Sequence, residues 1–315
     1  MTPVPVSAFP GTQALPIFAA QAIGAFACRG LAVEVTPAPN SDEQRSGLAQ
    51  GRYLVAQGAA DQAVAMVEVA KADAVIVLGG DGGFNRLFVQ PDIASLAELR
   101  GRTLAVDVPD TGWSFALYRI LAQHGLGAGD YALTAVGAPA RRFAAMRRDG
   151  SVAAAILNPP FSIHAQRAGL RDMGTVAAAL GRYQGFVSYV MRAWARANAE
   201  TLAAYIAAYL DGLRWARDPA NRPAATALYA ERLALPPDIA ADVYAAAVDP
   251  SEGLAADAAL DLAGFATVLR LRADFVGKAP AAPERYLDLS YRRGALAMTS
   301  STGPSGPLAN LQVDV

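Results

Sequence analysis

Through the first half of the chain, short uninterrupted apolar runs alternate with stretches whose apolar side chains recur every third or fourth position. The runs suit strands buried on both faces, and the wider spacing suits helices with one buried stripe. This pattern predicts strands over residues 4–9, 31–36, 53–57, 74–78, 86–89, 103–108, 132–136, 153–157 and 170–173, with a strand-like run at 186–191. Helices are predicted between them at 13–27, 44–50, 61–71, 95–99, 112–124, 141–148 and 161–168. Such alternation defines an α/β fold with parallel-type sheets flanked by helices. From residue 194 the pattern changes to a helical C-terminal region, with long Ala- and Leu-rich helices at 194–217, 223–233, 237–248 and 256–275. The Ser/Gly/Pro-rich stretch 299–315 reads as a disordered tail.

Two glycine-punctuated segments look like joints. Gly79-Gly-Asp-Gly-Gly83 follows an apolar strand, and its glycines permit backbone angles that other residues avoid. Gly181-Arg-Tyr-Gln-Gly185 precedes the run at 186–191. A chain that crosses at the first joint and returns at the second makes two lobes. The first is discontinuous, 1–80 plus 184–298, and the second is 84–181. Ligands of such folds bind in the cleft at the C-terminal ends of the strands.

Composition narrows the function. The net charge is −1, without the basic face that phosphate neutralisation requires, which argues against nucleic acid as a partner. The pairs Arg141-Arg142, Arg147-Arg148 and Arg292-Arg293 read as solvated positions. Cys28 stands alone, so no intramolecular disulfide or Cys-based zinc site is available, and it reads as a packed thiol. His124 and His164 are well separated and read as structural, so no metal site is predicted. No cofactor fingerprint, P-loop or nucleophile elbow is present, and no catalytic residue is assigned. The start Met1-Thr-Pro-Val-Pro has no basic, apolar leader, which implies either a cytoplasmic protein or a mature exported form.

Polar side chains at predicted strand ends supply the candidate site. Thr12 is a sensible helix cap, or with Gln13 it forms the cleft floor while Phe9 packs on the ligand. In Thr111-Gly-Trp-Ser114, Gly112 lets a ligand approach the backbone. Thr111 and Ser114 offer hydroxyls beside unpaired helix N–H groups, and Trp113 either stacks on a planar ligand or fills the core. Asn158, before two prolines, reads a polar ligand edge or simply forms a turn. Asp81 flanks the first joint and Gln184 sits in the second. Arg86, beside the first joint, clamps an acidic ligand or makes a surface ion pair.

Several segments carry a resemblance. Ser95-Leu-Ala-Glu-Leu-Arg-Gly-Arg-Thr-Leu-Ala-Val106, the helix start at Thr111–Ser114, Leu126-Gly-Ala-Gly-Asp130 and Asn158-Pro-Pro-Phe161 resemble the type II periplasmic solute-binding proteins of ABC transporters. More narrowly they resemble the NMT1/THI5-like branch, which binds nitrate, sulfonates, taurine and thiamine pyrimidines. The resemblance spans roughly residues 4–250. It implies a periplasmic-binding-protein type II fold, a monomer that closes on a small molecule, and a permease partner. It also puts residues 58–62 in the cleft, including Gly58 and Gln62. Asp61 there either caps its helix or pairs with a ligand amine. With Asp61, Asp81 and Asp110 near the cleft, the expected ligand is a planar heterocycle or an amine rather than a simple anion. The alternatives are an enzyme on the same scaffold, pyrimidine synthase-like or aromatic acid decarboxylase-like, and a sensor resembling LysR-type effector domains.

Overall fold

The computed structural model describes residues 1–301, and its strands follow the apolar runs: β1 (Thr2–Ala8), β2 (Leu31–Pro37), β3 (Val55–Ala59), β4 (Ala74–Leu78), β5 (Arg86–Val89), β6 (Thr103–Val106), β7 (Ala132–Ala135), β8 (Val152–Leu157), β9 (Arg171–Thr175) and β10 (Phe186–Met191). They form two five-stranded sheets, in the orders β2-β1-β3-β10-β4 and β7-β6-β8-β5-β9. The sheets are mixed rather than parallel. β1 runs parallel to β2 and β3, and β6 to β7 and β8, but β10 is antiparallel to both its neighbours, as is β5. The reason is topological: each antiparallel strand is the first that the chain lays down after crossing from the other sheet, so it enters from the opposite end.

The helices between the first-half strands are α1 (Leu15–Ala22), α2 (Ser41–Ala49), α3 (Ala60–Glu68), α4 (Gly112–Gln123), α5 (Pro139–Asp149), α6 (Phe161–Arg167) and α7 (Val176–Leu180). The C-terminal region adds α8 (Arg192–Ala197), α9 (Ala199–Arg217), α10 (Arg222–Arg232), α11 (Pro237–Val248), α12 (Leu262–Val276) and α13 (Ser290–Ser301). Several expected helices are shorter or split: that at 95–99 is a single 3-10 turn, Leu96–Leu99, and that at 61–71 ends at Glu68. The helix expected at 13–27 ends before Gly24, whose φ of 71° stops it. The span 194–217 breaks at Asn198, and α12 starts only where the Asp261 carboxylate accepts from the Ala263 N–H. Helices α7 and α13 were not expected. The latter takes in residues 299–301 of the expected tail, and 302–315 lie outside the described residues.

Helix α9 packs on α1, where a Cβ on Gly212 would lie 2.2 Å from the Pro16 carbonyl oxygen. One apolar cluster runs from first-sheet residues such as Val64 and Ile76 to second-sheet residues such as Leu104 and Ile156, with Phe9, Trp113 and Phe186 inside it. The two sheets are therefore held in contact by a shared core.

The glycines of the first joint act mainly by lacking a side chain. Only Gly83 in that run has a positive φ, 89°. A Cβ on Gly79 would lie 2.1 Å from the Ala259 carbonyl oxygen, and one on Gly80 2.2 Å from that of Phe186. The backbone hydrogen bond from Ala255 N–H to Gly80 O (2.7 Å) ties the outgoing segment to the 249–259 loop, and that from Gly185 N–H to Asp81 O (3.3 Å) ties the outgoing and returning segments to each other.

Candidate functional site

Between the sheets lies a narrow cavity of ≈10 Å3, lined by Phe9, Ser41, Ala59, Gln62 and Phe186 on one side and Asn85, Asp107, Trp113, Pro139, Arg142 and Asn158 on the other. A second void of ≈10 Å3 adjoins it at Asp107, Trp113 and Arg142 and reaches Ser114. Each admits about one water molecule, so this is a closed arrangement. Its walls are part aromatic: the Trp113 ring lies 5.0 Å from Tyr183 and 6.2 Å from Phe186, and Phe9 lies 6.4 Å from Phe186. Of the side chains on the second side, Asn85, Arg142 and Asn158 each bury an atom without a hydrogen-bond partner: Nδ2, Nε and Oδ1 respectively.

Contacts from sheet to sheet ring this cavity. Asp107 directly follows β6 and accepts from the backbone N–H and hydroxyl of Ser41 at the start of α2. Ala138 N–H donates to Pro39 O over 3.0 Å. Asn158 Nδ2 donates to Gln13 Oε1 (3.4 Å), where the loop before α1 abuts the end of β8. On another side, α12 carries Arg272 into a two-point ion pair with Asp61 (2.5 and 2.9 Å), and its Nη2 also donates to Asp110 O at 3.1 Å. Both partners are buried, at 4% and 1% exposure. Gly112 fits against this pair, since a Cβ there would lie 2.6 Å from the Asp61 Cβ. Tyr183 donates to Gly112 O at 3.3 Å.

The expected site residues therefore divide. Phe9, Gln62, Trp113 and Asn158 line the cavity, and Ser114 lines its extension. Thr12 is buried with its hydroxyl unpartnered and caps no helix, while Gln13 is tied to Asn158 and to Phe9 O. The others are used elsewhere. Thr111 and Ser114 hydroxyls bond each other and Val108 O, which satisfies them within their own turn. Gly58 makes room for Gln44 and Gln62 side chains. Asp61 neither caps α3 nor faces the cavity, because Arg272 takes both its oxygens. Asp81 and Gln184 fasten the joints: Asp81 accepts from Gly83 and Phe186 N–H groups, and Gln184 donates to Asp81 O and Phe186 O. Arg86 pairs with Asp172 at 2.7 Å.

Sequence reasoning missed Asn85, Asp107 and Arg142. Arg142 is the sharpest correction, being 4% exposed rather than solvated. Its α5 position follows from the face that also buries Pro139, Ala145 and Met146, a three-to-four spacing readable in the sequence. Burial lowers its pKa and raises that of Asp107, and the two oppose these shifts in each other. Cys28 is also corrected, since it is exposed in the short 3-10 helix Ala27–Arg29. Cys28, His124 and His164 lie outside the cavity lining. Among the described residues no group of His, Cys, Asp or Glu is arranged to hold a metal ion.

Asp81 gives a pH signature. Burial without a cation partner pushes its carboxyl up to about 7 from 3.8. The folded state then binds a proton more tightly than the unfolded chain. Its contribution to stability is full below pH 3.8 and is lost as pH rises through about 7. Asp81→Asn is expected to flatten the fall in stability across that window, as read by urea unfolding at a series of pH values.

A first lobe interrupted by a second, two mixed sheets joined by a double crossing, and a polar cavity between them make up the periplasmic-binding-protein fold. The NMT1-like family matches residues 1–230, and the chain belongs to it. No curated protein sequence matches the chain. Among solved structures, the chain is similar to the alkanesulfonate-binding protein SsuA from Xanthomonas axonopodis pv. citri, with 17% identity, 88% and 92% of the two chains covered and a TM-score of 0.71. It is also similar to the nitrate-binding protein NrtA from Synechocystis PCC 6803, with 14% identity, 96% and 90% covered and a TM-score of 0.76. A desulfurization enzyme shares the fold at 16% identity, 94% and 99% covered and a TM-score of 0.64. Among the described residues no helix is long and apolar enough to cross a membrane.

Proposed function

We propose that this protein is the solute-binding component of an ABC-type importer, acting in the periplasm as a monomer that closes lobes 1–80 plus 184–298 and 84–181 on a small molecule and delivers it to a permease. The observation that carries this reading is the cavity itself, which is lined from both sheets and holds three buried, unpartnered polar atoms. A buried polar atom without a partner costs free energy, and a bound solute offsets that cost. The ≈10 Å3 of the closed form admits no solute larger than water, so entry requires the lobes to part. The sulfonate- and nitrate-binding proteins of the same fold support the reading.

A thermal-shift screen of small carboxylates, sulfonates, heterocycles and amines, followed by small-angle scattering with each hit, tests the proposal. A solute at one hundred times its dissociation constant adds about 2.7 kcal/mol to stability. It is also expected to reduce the radius of gyration and to be recovered unchanged. A hit that leaves the lobe angle unaltered, or that is turned over, overturns the proposal.

A further inference from the structure

Building on the solute-binding reading, we infer that the solute is a small monocarboxylate with a hydrogen-bond donor beside its carboxylate, gripped by Arg142 and Asn85 and read by Asn158. The protein buries two arginines to the same degree, and the contrast between them carries the argument: Arg272 and Arg142 are each 4% exposed. Arg272 has a carboxylate, Asp61, on two of its nitrogens. Arg142 makes no ion pair with any described residue, donates once from Nη1 to Gly137 O at 3.3 Å, and leaves Nε unpartnered at the cavity. A buried guanidinium without a counter-charge in contact is costly, and planar carboxylates match its donor geometry. Asn85 Nδ2 is a second unpartnered donor lining the same cavity, so two donors await two oxygens.

The rest of the lining refines the class. Asn158 Oδ1 is an unpartnered acceptor in the same lining, which suits a hydroxyl or N–H on the solute. Ser41 is committed to Asp107, and Gln62 Oε1 accepts from Tyr189. The remaining large walls are the rings of Phe9, Trp113 and Phe186, which suit the flat face of a carboxylate better than a tetrahedral sulfonate. Asp107 lines the cavity as well and acts on Arg142 through space without contacting it, so the two charges together favour one acidic group on the solute over two. The acids that favoured an amine ligand from sequence do not oppose this assignment. Asp61 is neutralised by Arg272, Asp81 is buried at the joint, and Asp110 is exposed.

The full chain is tested by isothermal titration and thermal shift against lactate, alanine and pyruvate, the matched sulfonates isethionate and taurine, the amide lactamide, and malate. Lactate or alanine is expected to bind, with pyruvate weaker for want of the donor, and isethionate, taurine, lactamide and malate weaker still. Arg142→Met is expected to weaken the best carboxylate by at least about 30-fold. Asn85→Asp, nearly the same shape, places a charge against the carboxylate and is expected to abolish its binding, with far-ultraviolet dichroism unchanged from the parent. Sulfonates or lactamide binding as well as the carboxylates, no carboxylate binding, or unaltered affinity in both variants overturns the inference. A solute without a carboxylate that still closes the lobes sinks this inference and leaves the receptor reading standing; a carboxylate that binds through Arg142 without closure does the reverse.

Discussion

Arg272→Met is expected to lower the stability of the protein by about 3–5 kcal/mol, because it leaves the Asp61 carboxylate buried with no counter-charge. The two oxygens of Asp61 have no other side-chain hydrogen bond among the described contacts, and the carboxylate is 1% exposed. The double variant Asp61→Leu/Arg272→Met is expected to recover most of the loss, since it removes both charges together. Urea unfolding of the parent, both single variants and the double variant measures this. Added salt is expected to change the ranking little, because a buried pair is poorly screened. The pair Arg182–Asp261 makes the contrast. It has the same two-point geometry, with oxygens at 2.9 Å, but its arginine is 74% exposed. Arg182→Ala is worth about 0–1 kcal/mol. A loss of under about 1 kcal/mol in Arg272→Met would show that the pair is hydrated in solution.

Gly112→Ala is expected to wedge the two lobes apart. The added Cβ would sit 2.6 Å from the Asp61 Cβ and 3.2 Å from its Cγ, and Asp61 cannot yield while Arg272 holds it. Overpacking of this kind costs about 1–3 kcal/mol. Here that cost falls on the closed form alone, because Gly112 and Asp61 belong to opposite sides of the cleft. The apparent affinity for the solute should fall by roughly 5- to 150-fold, in proportion to the lost closed population. Scattering should show that solute reduces the radius of gyration less than it does in the parent. An unchanged reduction together with unchanged affinity would mean that the glycine contact does not gate closure.

Much of the architecture was legible in the apolar pattern. Strands such as Ala74–Leu78 and Arg86–Val89 stand out because each is an unbroken or nearly unbroken apolar run, buried on both faces. Helix α7 was missed because its five residues, Val176–Leu180, are too few to show a period. The antiparallel sense of β5 and β10 was missed because direction is set by where the chain crosses, which no local run encodes. The site was legible where a residue's own turn positions it, as with Phe9, Trp113 and Asn158. It was not legible where long side chains find partners far along the sequence. Asp61 and Arg272 are separated by 211 positions, and without that contact Asp61 reads as a free acid at a cleft. Arg142 was misread for a different reason: its neighbour Arg141 is exposed, and a charged pair suggests a solvated face until helix phase is considered.

The insertion of β10 between β3 and β4 also bears on how the protein comes to exist during synthesis. Strands β5 to β9 follow one another without interruption, so their sheet holds all its members once residue 175 has emerged. The earlier sheet holds an incomplete set until β10 appears, and β3 and β4 then expose edges that another chain could recruit. The part of the polypeptide made first is therefore the part whose sheet is completed last, and an unfinished chain carries those open strand edges over that interval.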